Sequence, residues 1–146
     1  MHRTVKGLLL ILALLASGMA GAAEPVREVT LYKTPYCGCC EGYAEYLREN
    51  GFRVTVEPTH ELPVLSREAG IPEDFQGCHL SMIGRYAVSG HVPVEAIHRL
   101  LDEQPAIEGI TLPGMPMGSP GMSGSKQAPF TVYAIESGEP RVFSVE

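Results

Sequence analysis

Three cysteines stand within four positions, Cys37-Gly38-Cys39-Cys40, and a fourth follows at Cys78. Thiolate sulfur is both a nucleophile and a soft metal ligand, so this spacing admits three chemistries. As a structural staple it does little, because adjacent Cys39 and Cys40 are poor partners and three thiols in four positions close almost no chain. As a redox dithiol it needs only the C-x-x-C pair Cys37 and Cys40, and Cys39 would compete for every mixed disulfide. A metal site uses all of them: Cys37, Cys39 and Cys40 converge from one tight loop, and the fold must bring in Cys78. Thiolates in that number select Cu(I), Zn(II) or an iron–sulfur cluster over hard cations. Zinc is usually held by two separated C-x₂-C pairs, and the second pair is missing here.

A second group of soft donors lies in Met115-Pro116-Met117-Gly118-Ser119-Pro120-Gly121-Met122. Core methionines fill gaps on helices and strands, whereas this stretch has no apolar periodicity. Met115, Met117 and Met122 read either as thioether ligands suited to Cu(I) or as a cover over an apolar patch, and the cysteines favour the first. His79 follows Cys78 directly and reads equally as an added imidazole ligand or as a ring turned away. His91, in a turn before a helix, reads as a capping or solvent-exposed imidazole. His60 and His98 read as solvated, Met82 as core, and Glu41, Glu45 and Glu49 as a solvated helix face.

The elements that must position these groups follow from periodicity. Residues 28–33 alternate as a strand, 34–40 form the cysteine loop, and helical spacing starts at Glu41 and stops at Asn50-Gly51. Phe52, Val54 and Val56 alternate as a second strand ended by Pro58, which completes a βαβ unit whose strands are expected to be parallel. A short helix is predicted over 62–69. Two short strands are predicted around a Gly84-Arg85 turn, and then a helix with Pro93 near its first position and Ile97, Leu100 and Leu101 on its buried stripe. Residues 109–124, rich in Gly, Pro and Met, are predicted to be a loop. Residues 130–136 and 142–145 are predicted to pair as a hairpin around Ser137-Gly138-Glu139-Pro140. The order predicts an α/β fold: a thioredoxin-like three-layer domain with a mixed sheet and a C-terminal β-hairpin, its cysteine loop between first strand and helix.

Composition narrows the function classes. The chain has 146 residues, 45% hydrophobic and 19% charged, with a formal net charge of −6. It is too apolar to be disordered and has no basic excess for nucleic acid. Residues 1–23 have a basic start (His2, Arg3, Lys6), a short apolar run from Leu8 to Ala16, and small residues ending in an A-x-A site, the pattern of a secretory signal peptide. The apolar run is about half of the ~20 residues that span a bilayer. Cleavage would leave a single domain over 24–146, more acidic than the whole, exported and without a membrane anchor. That domain needs no disulfide staple to fold at its size.

Taken together, Lys33-x-Pro35-x-Cys37-Gly38-Cys39-Cys40, Cys78-His79, Gly90-His91-Val92-Pro93 and Leu112-Pro113-Gly114-Met115-Pro116-x-Gly118-Ser119-Pro120-Gly121-Met122 resemble the CopG-type periplasmic copper-resistance proteins over about residues 29–135. The resemblance implies a thioredoxin-like fold and copper bound by Cys37, Cys39, Cys40 and Cys78, as a cysteine-bridged cluster of several ions. It also implies a role in copper tolerance of a bacterial periplasm. The expected protein holds Cu(I) on the four thiols, with His79, Met115, Met117 and Met122 completing, shielding or gating the site. Its partners would be copper ions and other periplasmic copper-handling proteins. Copper that changed between Cu(I) and Cu(II) there would make it a redox enzyme. The rival expectation is a thiol–disulfide oxidoreductase using Cys37 and Cys40.

Overall fold

The computed structural model describes residues 27–146; the expected leader, 1–23, lies outside the described residues. Strand β1 (Arg27–Lys33) leads through the cysteine loop into helix α1 (Gly38–Glu49) and back to β2 (Phe52–Pro58), which pairs parallel with β1. Helix α2 (Leu62–Glu68) and a 3₁₀ turn (Glu73–Phe75) follow. Strands β3 (His79–Ile83) and β4 (Tyr86–Gly90), helix α3 (Val94–Glu103), and strands β5 (Gly109–Leu112), β6 (Thr131–Glu136) and β7 (Glu139–Val145) complete the chain. The seven strands form one mixed sheet in the order β2-β1-β3-β4-β5-β6-β7.

Strand alternation sends side chains to two separate cores. Val29 and Leu31 of β1, Ile83 of β3, Val88 of β4 and Ile110 of β5 pack with Tyr43, Ala44 and Leu47 of α1 and Ile97 and Leu100 of α3. Leu80, Ala87 and Ile135 face the other way and pack with Leu62 and Leu65 of α2. Helices therefore cover both faces, giving the three layers and mixed sheet that the sequence predicts. The cysteine loop between β1 and α1 is compatible with a thioredoxin-like plan.

Three boundaries differ from expectation. Helix α1 begins at Gly38, not Glu41, with Cys37 as its extended N-cap. Cys40 is fully buried and is the first member of the apolar stripe Cys40, Tyr43, Ala44, Leu47, so counting its thiol as a small hydrophobe extends the helix back one turn. Residues 109–112, expected to be loop, are strand β5, buried at every position between β4 and β6. Gly109 is part of that strand because a Cβ would collide with the backbone of Ala87. The C-terminal hairpin turns on two residues, Ser137 and Gly138, both at positive φ, with Glu139 and Pro140 already in β7.

Two registers bring the chemistry-bearing residues to one end of the sheet. In the antiparallel β1–β3 pair Lys33 stands opposite His79, so the start of the cysteine loop meets the residue after Cys78. In the β3–β4 hairpin Leu80 stands opposite Ser89. Carried outward by two residues, that register sets Cys78 opposite His91.

Candidate metal centre

Cys37 and Cys40 flank the first turn of α1 and are joined by a disulfide, with Cα atoms 5.4 Å apart. Cys39 and Cys78 are free thiols, each partly buried. The Cys39 sulfur lies 3.4 Å from that of Cys37 and 3.8 Å from that of Cys78, and the Cys78 sulfur lies 3.5 Å from that of Cys40. All four sulfurs fall within 4.8 Å of one another. The sequence expectation that the fold delivers Cys78 to the loop cysteines therefore corresponds to a real cluster.

The loop that presents Cys37 is clamped by a buried lysine. Lys33 Nζ donates to the carbonyls of Thr34 and Pro35, both at 3.2 Å, and pairs with Glu41 Oε1 at 3.0 Å. Its side chain is only 3% exposed while that of Glu41 is 59% exposed. The clamp therefore ties the end of β1 to the first turn of α1 across the cysteines. On the other side, Gly77 donates its N–H to Ser89 Oγ at 2.8 Å and lies so close to Gly90 that a Cβ would strike its backbone. That approach seats Cys78 beside His91.

His79 and His91 are both fully buried, with ring centroids 4.8 Å apart and both rings packed on Tyr43. His79 Nδ1 is 3.5 Å, and His91 Nε2 3.2 Å, from the Cys78 sulfur. His91 was expected to cap or face solvent; it instead belongs to the cluster. The signal was available, since a two-residue Gly84-Arg85 turn fixes which residues face each other along the hairpin. His91 Nδ1 lies 2.6 Å from the Pro120 carbonyl oxygen, which can only accept. That contact places the proton on Nδ1 and leaves the Nε2 lone pair facing Cys78, the outer-shell arrangement that fixes metal-binding imidazoles.

Electrostatics favour neutral rings. Burial, then the neighbouring His91, pushes His79 down to about 3, and burial also lowers His91. Burial, then the Cys39 thiol beside it, pushes Cys78 up to about 12. Without a cation that thiol keeps its proton, and a cation bound there must displace it. Among the described residues His79 Nε2 has no hydrogen-bond partner although it is buried. Unpaired donors or acceptors in such surroundings cost about 1–3 kcal/mol.

The methionines are built differently. Met115 and Met117 are 44% and 57% exposed, and Met122 is half-buried. Met117 packs along Gly124 and lines a surface groove with Pro113, Pro116, Phe130 and Tyr133, a groove that contains no cysteine. The loop backbone is nevertheless fixed to the site, through Pro120 on His91 and through Gly121, which packs directly on Gly42 and Tyr43 of α1. His60 and His98 are exposed, as are Glu41, Glu45 and Glu49, while Met82 packs against the smaller core.

The family described as protein of unknown function, DUF411, matches residues 75–122, the stretch from the 3₁₀ turn through Met122. No curated protein sequence matches the chain. Two solved structures of a copper resistance protein CopG, its Form 1 and Form 2, are similar at TM-scores of 0.76 each, with 32% and 31% identity. The matches cover 84% and 83% of this chain and 98% of each structure. With that likeness over nearly the full length of the solved protein, the chain belongs to the CopG-type copper-resistance family.

Proposed function

We propose that this chain is a periplasmic copper-binding protein that holds Cu(I) on Cys37, Cys39, Cys40 and Cys78 and serves copper resistance. The observation that carries the reading is the convergence of four sulfurs within 4.8 Å at the end of the sheet, on elements rather than on a loose loop. The donor set fits: thiolate is the softest ligand a protein offers, and four of them around one small volume suit Cu(I), as one ion or as a cysteine-bridged cluster. Bound copper supplies one-electron chemistry between Cu(I) and Cu(II), which would make the protein a redox enzyme as well as a binder.

The chain's own residues prepare that site. Thiol–disulfide exchange with a dithiol reductant, which leaves as its own disulfide, would convert Cys37–Cys40 to two thiols, and with Cys39 and Cys78 they would complete the set. Lys33 holds the loop carbonyls, so the freed Cys37 stays at the helix N-terminus. His79 and Tyr43 wall the inner side and exclude water. Met115, Met117 and Met122 would act from outside the buried cluster, shielding it or passing copper to another periplasmic protein.

The disulfide also favours a second reading, a thiol–disulfide oxidoreductase with Cys37 as the more exposed nucleophile and buried Cys40 as the resolving thiol. The two separate on one experiment. The protein is reduced anaerobically, loaded with Cu(I) and challenged with a chelator of known affinity, alongside Cys39→Ser. Copper binding predicts tight retention by the wild type and sharp loss in the variant. Copper lost equally from both proteins, with disulfide exchange intact in Cys39→Ser, would establish the oxidoreductase.

A further inference from the structure

A second groove, of about 400 Å³ and lined by no cysteine, opens where the methionine loop crosses the start of α3. Its walls include Tyr46 of α1, Glu95 in the first turn of α3, Pro120 and Lys126 of the loop, and Phe130 and Glu146 at the sheet end. Phe130 and Glu146 exchange backbone hydrogen bonds of 2.8 and 2.9 Å, so a ring and a carboxylate are presented from one fixed pair. The Tyr46 hydroxyl accepts the Val94 N–H at 2.9 Å, which joins α1 to the start of α3.

The charges of this groove do not balance. Neither Glu95 nor Glu146 forms an ion pair among the described residues, and neither does Lys126. Burial raises the Tyr46 phenol above its ordinary value; the Val94 N–H works the other way, and the Glu95 and Glu146 carboxylates raise it further. Two carboxylates therefore act on one phenol without compensation, while the Lys126 ammonium lies over the Phe130 ring, 4.7 Å from its centroid. A cation seated between ring and carboxylates would satisfy both, through cation–π attraction and charge-assisted hydrogen bonds. The groove is open to solvent and shares Phe130 with the groove that Met117 lines, so it suits a side chain on a longer segment better than a free small amine. The net charge of −6 draws basic surfaces toward the chain.

We propose that this groove receives a lysine or arginine side chain of a partner protein, which displaces Lys126 from Phe130 while Glu95 and Glu146 hold its charge. The proposal deepens the copper reading and rests on it only for the partner's role. A protein docked here meets the exposed thioether of Met117 across Phe130. It also touches Pro120, whose carbonyl accepts from His91, so the docking groove and the metal centre share one loop residue.

The probe is the capped tripeptide acetyl-Gly-Lys-Gly-amide, titrated into the copper-free full chain while the Tyr46 and Phe130 ring signals are followed by NMR. Its Nε-acetylated analogue and free butylammonium are the controls. The expected result is saturable shifts of both rings that weaken as salt is raised. The neutral analogue should bind at least about 5-fold more weakly, the combined scale of one cation–π contact and one exposed ion pair. Lys126→Met removes the internal competitor and should tighten peptide binding by about 3-fold. The loop path does not depend on that ammonium, because the Lys126 backbone lies so close to Gly118 that a Cβ there would collide with it. Glu95→Gln/Glu146→Gln should bring the peptide and its neutral analogue within about 2-fold of each other. Equal binding of the neutral analogue by the wild type, or unchanged peptide affinity in either variant, would overturn the proposal. Butylammonium binding as tightly as the peptide would make the groove a small-amine site and overturn the partner as its occupant. Cu(I) retention is measured on the same proteins. Ring shifts without retained copper strike the copper reading alone, whereas retained copper without ring shifts strikes the docking groove alone.

Discussion

The cysteine cluster and the methionine loop both carry soft sulfur, and the fold treats them in opposite ways. Each cysteine sits at the end of a regular element: Cys37 as the N-cap of α1, Cys39 and Cys40 in its first turn, Cys78 just before β3. Strand register, the Lys33 clamp and the Gly77–Gly90 contact then leave those sulfurs little freedom. The methionines hang from a loop whose backbone is fixed by Pro120 and Gly121 but whose thioethers at Met115 and Met117 reach solvent. Precision is thus placed where a buried ligand set would need it, and adaptability where a partner would have to be met.

The contrast breaks most visibly at Cys78, whose sulfur lies against the other sulfurs and both imidazoles. Cys78→Ser should lower Cu(I) affinity by more than the roughly 10–100-fold that loss of an outer-shell partner causes. Chelator competition measures it, and unchanged affinity would remove this thiol from the site. Gly121→Ala attacks the join between the regions. Gly121 has φ +78° and packs on the backbone of Tyr43, so a Cβ is both strained and obstructed. A loss of about 2 kcal/mol or more in unfolding free energy is expected, with copper affinity falling as Pro120 moves off His91. Denaturant unfolding of the copper-free variant checks the first part.

A smaller effect is expected at the clamp. Lys33→Met removes a buried ammonium of similar length and leaves the carbonyls of Thr34 and Pro35 without their donor. Stability should change by only about 1–2 kcal/mol, since the desolvation of Lys33 is relieved as well. The reduced loop should nonetheless present Cys37 less well, and Cu(I) affinity should fall while Glu41→Gln, on the exposed side of the pair, changes it much less. The smallest effect on affinity belongs to the loop sulfurs: Met115→Leu/Met117→Leu should leave Cu(I) affinity within about 2-fold, since neither volume nor burial changes much. Transfer of copper to a Cu(I) acceptor should slow in the same variant. A large loss of affinity with an unchanged transfer rate would reverse the division of labour drawn here.

Much of this was legible in the chain because it rests on local periodicity. The βαβ start, the Gly84-Arg85 hairpin and the C-terminal hairpin are all present, and the four cysteine sulfurs lie together at one end of the sheet. What was hidden depends on burial and on pairing between distant segments. Strand β5 is four residues long and lies at the head of a Gly/Pro-rich stretch, so composition masked a buried strand that only its neighbours β4 and β6 define. Cys40 resembles a loop cysteine until its burial shows it to be the first residue on the α1 stripe. His91 has no periodic signature of its own. Its place beside Cys78 comes from hairpin register, and its fixed tautomer from a carbonyl twenty-nine residues away.

The central claim, that copper sits on the cysteines and not on the methionine loop, is tested most directly by X-ray absorption at the copper edge. The sample is reduced, Cu(I)-loaded wild type compared with Met115→Leu/Met117→Leu. The account predicts a sulfur-dominated first shell that is the same in both proteins, with copper–copper scattering if several ions share the cysteines. A first shell of nitrogen and oxygen, or a sulfur shell that disappears with the two methionines, would contradict it.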